Sequence, residues 1–307
     1  MGRNWSVFLE PSHVNIRIQH RSSYRYAEKV SFGTHQLRVR PREGHGLRME
    51  KCEISISPPG HRMRWKRDLY ENNVCFIEFT EPADELVIHC EFILKACDQN
   101  PFDFVIAPEA VEFPFHYDHA LYQELFPLVQ ILYVRDEARV RSWLHRFWQP
   151  GKHVGTLELL QTINANIYDH FRYQRREEKG VQSPAETLEK KSGSCRDFAA
   201  LFIEACRCLD LAARFVSGYM YSSEIEGRMS MHAWAEVYLP GAGWIGFDPS
   251  WGILAASQYV PVAVSRHPEN STPISGVYIG KARTFLECNV DLYVELHQPA
   301  LALIGQG

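Results

Sequence analysis

A cysteine, a histidine and a carboxylate stand in the order nucleophile, base and orienting group: Cys195, His232 and Asp248, 37 and 16 positions apart. A nucleophile beside a base that a third group holds in place is the arrangement that forms and resolves acyl intermediates. Gly193-Ser194-Cys195 opens a stretch in which Phe198, Phe202, Ala205 and Leu209 recur at helical spacing, so a helix is predicted to start near Cys195. Its sulfur then lies where unpaired backbone N–H groups and the positive end of the helix dipole converge. That environment favours the thiolate, the nucleophilic form. A small free cysteine packed under a helix start has the same local signature, so the helix alone does not single out a nucleophile. His232 begins an alternating segment, His232 to Leu239, and the turn Pro240-Gly241-Ala242-Gly243 returns the chain through Trp244 to Asp248. Paired residues in an antiparallel hairpin have numbers of constant sum. An even sum, for example 482, puts His232 and Asp248 on one face as diagonal neighbours, about 7 to 8 Å apart at the backbone. An odd sum puts them on opposite faces unless a bulge intervenes. Glu236 shares the parity of His232 and is the rival carboxylate, further down the strand.

The elements that must position these groups are legible as two regimes. From Val14 to Leu94 short alternating runs recur, among them Val14 to Ile18, Leu37 to Arg40 and Cys52 to Ile56. Turn signals such as Ser57-Pro58-Pro59-Gly60, Glu71-Asn72-Asn73 and Glu81-Pro82-Ala83-Asp84 separate them, the pattern of an antiparallel β-sandwich. Pro101, Pro108, Pro114 and Pro127 then break the strands before a helical stretch around Asp136 to Trp148. Leu157, Leu160, Ile163, Ile167 and Phe171 mark a helix with one buried face. Ser183-Pro184-Ala185-Glu186 starts another, with a capping serine and proline at the first helical position, and Gly193 is expected to stop it. Beyond Ala213 strands return at Arg214 to Tyr221, His232 to Leu239 and Trp244 to Asp248, then near Val277 and at Phe285 to Leu296. Helices first and an antiparallel sheet afterwards predict an α+β domain.

Four blocks in this region resemble the transglutaminase-like superfamily: Gly193-Ser194-Cys195-Arg196-Asp197-Phe198-Ala199, Ala213 to Tyr219, His232 to Val237, and Gly243-Trp244 with Asp248-Pro249-Ser250-Trp251-Gly252. They run in the family order over residues 155 to 255. The stretch with Tyr24-Arg25-Tyr26 and Leu37 to Arg42 is similar to the β-rich N-terminal region of the bacterial branch, and Val262 to Arg266 with Ile274 to Tyr278 resembles the segment after its core. The resemblance implies a papain-like core and a Cys-His-Asp triad: Cys195 attacks an acyl carbon, His232 shuttles the proton and Asp248 orients the imidazole. The expected layout is an N-terminal β-sandwich over 1–100, a connector with a helix over 101–150, a catalytic core over 151–260, and C-terminal strands over 261–307 completing the fold. The expected activity is that of a cysteine-dependent amide hydrolase or acyltransferase, of peptidase, isopeptidase, amidase or transglutaminase type, working through a thioester without metal or organic cofactor on a peptide or protein amide. The alternative is a binding or scaffolding protein that keeps the core without activity, since the superfamily includes inactive members. Where the bacterial pattern has an acidic residue soon after Ser265-Arg266, this chain reads His267-Pro268-Glu269.

One oxyanion donor is expected from the Cys195 backbone N–H and a second from upstream, with Gln174 and Tyr173 as candidates and packing of Tyr173 in the core as the alternative. Arg196 and Asp197 are expected to make local helix-start contacts. Trp234, Trp244 and Trp251 read as core more readily than as a groove, and His116 and His119 lack a third metal ligand nearby.

Composition narrows the partners. Thirty-three basic against 37 acidic side chains in 307 residues leave a net charge of −4, which argues against a nucleic-acid binder. No apolar run reaches the roughly 20 residues of a membrane span, and the first thirty residues lack the regions of a signal peptide. Eight scattered cysteines without a Cys-x-x-Cys pair read as thiols of a reducing compartment, so a cytoplasmic location is expected. Met1-Gly2-Arg3-Asn4-Trp5-Ser6 matches the myristoylation pattern, a short motif that chance supplies readily.

Overall fold

A computed structural model describes residues 13–97, 100–176, 178–221, 231–281 and 285–297. The N-terminal strands are β1 (His13–Phe32), β2 (His35–Leu37), β3 (Leu47–Ser57), β4 (His61–Arg67), β5 (Asn73–Phe79) and β6 (Ala83–Cys97). Alternation decides their faces: Leu86, Ile88, Cys90, Phe92, Leu94 and Ala96 are buried at every second position of β6. Antiparallel pairing sets Ile16 opposite Leu94 and Ile18 opposite Phe92 on β1. This apolar face meets Leu37, Cys75 and Ile77 from the other sheet in one core, which is the β-sandwich read from the sequence. The strand read at Leu37 to Arg40 is shorter than expected and ends at Leu37.

The second region runs β7 (Glu112–Phe113), α1 (His119–Val129), α2 (Glu137–Leu144), β8 (Val154–Gly155), α3 (Thr156–His170), β9 (Arg172–Tyr173), α4 (Pro184–Lys190), β10 (Ser192–Gly193) and α5 (Cys195–Cys208). Five strands follow: β11 (Ala213–Met220), β12 (Met231–Leu239), β13 (Gly243–Asp248), β14 (Ile253–Leu254) and β15 (Tyr259–Ser265). They form one antiparallel sheet in the order β14, β13, β12, β11, β15. Helix α5 lies at the centre of this α+β unit: Phe198, Leu201, Phe202 and Ala205 are buried, with Phe202 stacked on Phe247 of β13 at 5.3 Å and Phe198 edge-on to Phe171 at 6.0 Å. Each such aromatic, fully buried, contributes about 1.5 to 3 kcal/mol to holding the helix on the sheet. Glu204 and Arg207, both buried and ion-paired at 3.3 Å, anchor its far end. Glu204 accepts the Leu132 and Tyr133 amides, and Arg207 donates to the Leu128 and Ala213 carbonyls.

The last strands return to the N-terminal sheets: β16 (Ile274–Ser275) pairs with β2, and β17 (Tyr278–Ile279) and β18 (Phe285–His297) both pair with β1. Two sequence expectations need correction here. Helix α1 falls inside the stretch read as a broken connector. Pro127 removes one amide donor in its last turn, which burial of Leu125, Leu128 and Val129 offsets, while Asp118 caps its start by accepting from the Leu121 amide at 3.0 Å. Helix α4 is stopped at Lys191, in the left-handed conformation with φ of 46°, and not at Gly193. Gly193 serves the next turn instead, since a Cβ there would lie 2.9 Å from that of Asp197 and 3.2 Å from the Phe198 ring.

Candidate active site

Ser194 and Asp197 shape the start of α5. The Asp197 carboxylate is fully buried; one oxygen accepts the Ser194 amide at 2.8 Å and the Ser194 hydroxyl at 2.7 Å. Its other oxygen accepts from Arg176 at 2.6 Å and from the Gln182 amide at 2.7 Å. The Arg196 guanidinium donates to the carbonyls of Arg176 and Glu178, so both residues make the helix-start contacts expected of them and tie Arg176, Glu178 and Gln182 to the helix. Cys195 follows as the first helical residue, half-buried, with its backbone N–H among those that have no partner within the helix.

Hairpin β12–β13 brings the other groups up. Ala235 pairs with Phe247 and Val237 with Ile245, a constant sum of 482, so His232, Trp234 and Asp248 share one face. The His232 Nε2 meets Asp248 Oδ2 at 2.6 Å, and the Cys195 sulfur is close enough to the same imidazole for each to shift the other's proton affinity. Asp248 is fully buried and saturated: Oδ2 also accepts from the Tyr259 hydroxyl at 2.7 Å, while Oδ1 accepts the Ser250 amide at 2.8 Å and its hydroxyl at 2.5 Å. Trp234 lies in the core, stacked 6.3 Å from the His232 ring, and Tyr259 packs against both rings, 5.1 Å from Trp234 and 6.0 Å from His232. Glycine opposite His232 makes room for that indole, because a Cβ on Gly218 would come within 2.7 Å of it and 2.3 Å of the Val260 carbonyl. The rival Glu236 is engaged elsewhere, bound to Arg214 on β11 at 2.7 Å. Trp244 is half-buried with Arg214 over its ring, and Trp251 is 39% exposed at the turn that follows Asp248.

Electrostatics bind the three groups into one unit. Burial alone would push the Cys195 thiol up, but the His232 charge, its hydrogen bond and the Ala233 amide outweigh burial and hold the thiol below its ordinary value. Burial likewise disfavours the His232 cation, and Asp248 with the Cys195 thiolate overrides it, so the imidazolium persists far above the usual histidine range. Asp248 stays below the usual carboxylate range despite burial, through the His232 charge and the hydrogen bonds from His232, Ser250 and Tyr259. These directions favour a thiolate–imidazolium pair backed by a carboxylate. Such a pair can attack an electrophilic carbon and hand a proton to a leaving group. Among the described residues no group of three His, Cys, Asp or Glu could hold a metal ion; His119 contacts Gln123 at 3.1 Å.

Of the two upstream oxyanion candidates, Gln174 spends its backbone N–H on the Gly193 carbonyl at 2.8 Å, and its side chain takes Arg172 at 3.3 Å. Tyr173 is not in the core. It is 52% exposed, edge-on to Phe198 at 6.3 Å, and near enough to Cys195 for that residue's charge to help push its phenol up. The signal that places it there, a two-residue parallel bridge between β9 and β10 with Tyr173 opposite Gly193, is too short to read from sequence.

Comparison with known proteins follows the same division of the chain. Residues 16–95 match the bacterial transglutaminase-like N-terminal region, and residues 145–249 match the core of the transglutaminase-like superfamily. The chain belongs to the transglutaminase-like superfamily. This transglutaminase-like chain is 26% identical over 303 residues to an uncharacterised protein of Mycobacterium tuberculosis, covering 94% of this chain and 95% of that one. It is 31% identical over 121 residues to an uncharacterised protein of Mycobacterium leprae, covering 37% of this chain and 42% of that one. Its fold is similar to the crystal structure of a candidate cysteine protease from Cytophaga hutchinsonii, with a TM-score of 0.69 at 18% identity over 93% of this chain and 90% of that one. No helix among the described residues of the transglutaminase-like chain is long and apolar enough to cross a membrane.

Proposed function

We propose that this chain is a cysteine-dependent amide hydrolase or acyltransferase, with Cys195 as nucleophile, His232 as proton carrier and Asp248 as the orienting carboxylate. The observation that carries the reading is the His232 imidazole hydrogen-bonded to a saturated, buried Asp248 and close enough to Cys195 for its charge to hold the thiol down. The Cys195 thiolate adds to the carbonyl carbon of an amide, and negative charge gathers on the carbonyl oxygen beside the start of α5, where backbone N–H groups and the helix dipole stabilise it. As the C–N bond breaks, the His232 imidazolium gives its proton to the departing amine and leaves a thioester. The neutral imidazole then takes a proton from the acceptor, water for hydrolysis or an amine for transamidation. Collapse of the second tetrahedral adduct releases the Cys195 thiolate, and no electrons leave the system. A peptide or protein amide is the proposed substrate and the cytoplasm the proposed site of action.

Peptide and amine library profiling with the purified chain tests this reading. The expected result is a set of cleaved or amine-conjugated peptides that is absent with Cys195→Ala. Products that persist in Cys195→Ala, or a library left untouched by the unsubstituted chain, would remove the basis for the assignment.

A further inference from the structure

We infer that Tyr259 is a positioning residue of this site: by donating to the same Asp248 oxygen that faces His232, its phenol limits how tightly the carboxylate holds the imidazolium. The inference rests on the reading of Cys195, His232 and Asp248 as a triad and adds a group that acts through Asp248. Geometry carries it. Asp248 Oδ2 receives two donors, His232 Nε2 at 2.6 Å and the Tyr259 hydroxyl at 2.7 Å, while Oδ1 receives the Ser250 amide at 2.8 Å and the Ser250 hydroxyl at 2.5 Å. The two Ser250 bonds already fix the carboxylate about its Cβ–Cγ bond, so the phenol is not needed to aim Oδ2. Its effect is to take up part of that oxygen's charge in competition with the imidazole.

Tyr259 arrives from the edge of the sheet: it opens β15, pairs with Met220 of β11, and is buried against His232 and Trp234. The N-terminal sandwich seats that strand. The buried Asn72 side chain binds both backbone groups of Val264, the Arg42 amide donates to the Pro261 carbonyl, and Val260 and Val262 enter the sandwich core. Burial and the Asp248 charge push the phenol far above its ordinary value, so it remains a donor. The titratable groups that feel the Asp248 charge are His232 on β12, Cys195 on α5, Tyr173 on β9 and Tyr259 itself, and Arg175 acts on Tyr173 in turn. Asp248 raises both His232 and Cys195, so a phenol that disperses its charge lowers both. Without the phenol the imidazolium is held more tightly and becomes a weaker acid toward the departing amine.

Two replacements at this position test the role with opposite signs. Tyr259→Phe removes the donor, whereas fluorotyrosine placed at position 259 alone keeps the shape and strengthens it. The readouts are the acid midpoint of Cys195 alkylation by iodoacetamide and the midpoint of the His232 ring followed by NMR, assigned by its absence from His232→Ala. Tyr259→Phe should move both midpoints to higher pH by up to about one unit, within what a hydrogen bond to a charged group is worth. Fluorotyrosine should move both to lower pH. Asp248→Asn, which removes the charge itself, should also move both to lower pH, so a structural loss of Asp248 would carry Tyr259→Phe in that direction. Midpoints left in place by either replacement, or lowered by Tyr259→Phe, would overturn the proposal, and if Tyr259→Phe does not fold the fluorotyrosine decides. Failure of the underlying reading looks different: Cys195 of the unsubstituted chain would titrate as an ordinary thiol, and amide turnover would survive Cys195→Ala.

Discussion

Amide turnover should fall to background in Cys195→Ala and in His232→Ala, and the double variant should be no worse than either. The first change removes the atom that bonds to the acyl carbon. The second removes the group that joins the sulfur electrostatically to a buried carboxylate, so the thiolate loses its counter-ion and the leaving amine loses its proton source. Groups that act as one unit are strongly non-additive, because losing either already forfeits the step that both serve. The measurement is initial-rate turnover of a peptide amide identified from the library, for both single variants and the double variant. A double variant markedly slower than both singles would mean that Cys195 and His232 act in separate steps.

Asp248→Asn should also be severe, by up to about 10⁴ in kcat, though less than loss of the nucleophile. The amide can still accept from the imidazole but carries no charge, so the imidazolium loses what most strongly opposes its burial. The sign of the pH effect follows. His232 is raised above its ordinary value mainly by Asp248, so in Asp248→Asn the alkaline limb of activity, set by loss of the imidazolium, should move to lower pH. The Asp248 charge also raises the Cys195 thiol, and His232 keeps its proton on the acid side, so the acid limb should move to lower pH as well and the profile should shift as a whole. Glu236→Gln is the control: its carboxylate is held by Arg214 and should leave both limbs in place. A crippled Glu236→Gln beside a near-normal Asp248→Asn would give the orienting role to Glu236.

Much of this arrangement is legible in the sequence because it rests on short-range rules. Helical spacing after Cys195 and period-two alternation after His232 locate both residues at the starts of their elements, and an even hairpin sum is enough to put His232 and Asp248 on one face. The sandwich is legible for the same reason, since β6 alternates over most of its length. What escapes depends on contacts between distant segments. Pro127 disguises α1, whose stability comes from Leu125, Leu128 and Val129 packing into the core and from the Asp118 cap. The left-handed Lys191 displaces glycine from the stop of α4, because Gly193 is needed where α5 begins. The return of β17 and β18 to β1 joins the ends of the chain across more than 200 positions, which no local pattern encodes. The seat of Tyr173 outside the core escapes on the same ground, its position set by a two-residue bridge.

If His232 holds Cys195 as a thiolate, competitive alkylation will show it. Alkylation follows the thiolate, and at about pH 6 a thiol with an ordinary value is almost wholly protonated. Burial raises the thiols of Cys75, Cys90, Cys206 and Cys208, and Cys52 is raised as well, whereas Cys195 is held low. Limiting iodoacetamide near pH 6, followed by peptide mapping, should therefore modify Cys195 first, and His232→Ala should abolish that preference. Label on Cys206 or Cys288 with Cys195 untouched, or a His232→Ala variant labelled at Cys195 as fast as the unsubstituted chain, would contradict it.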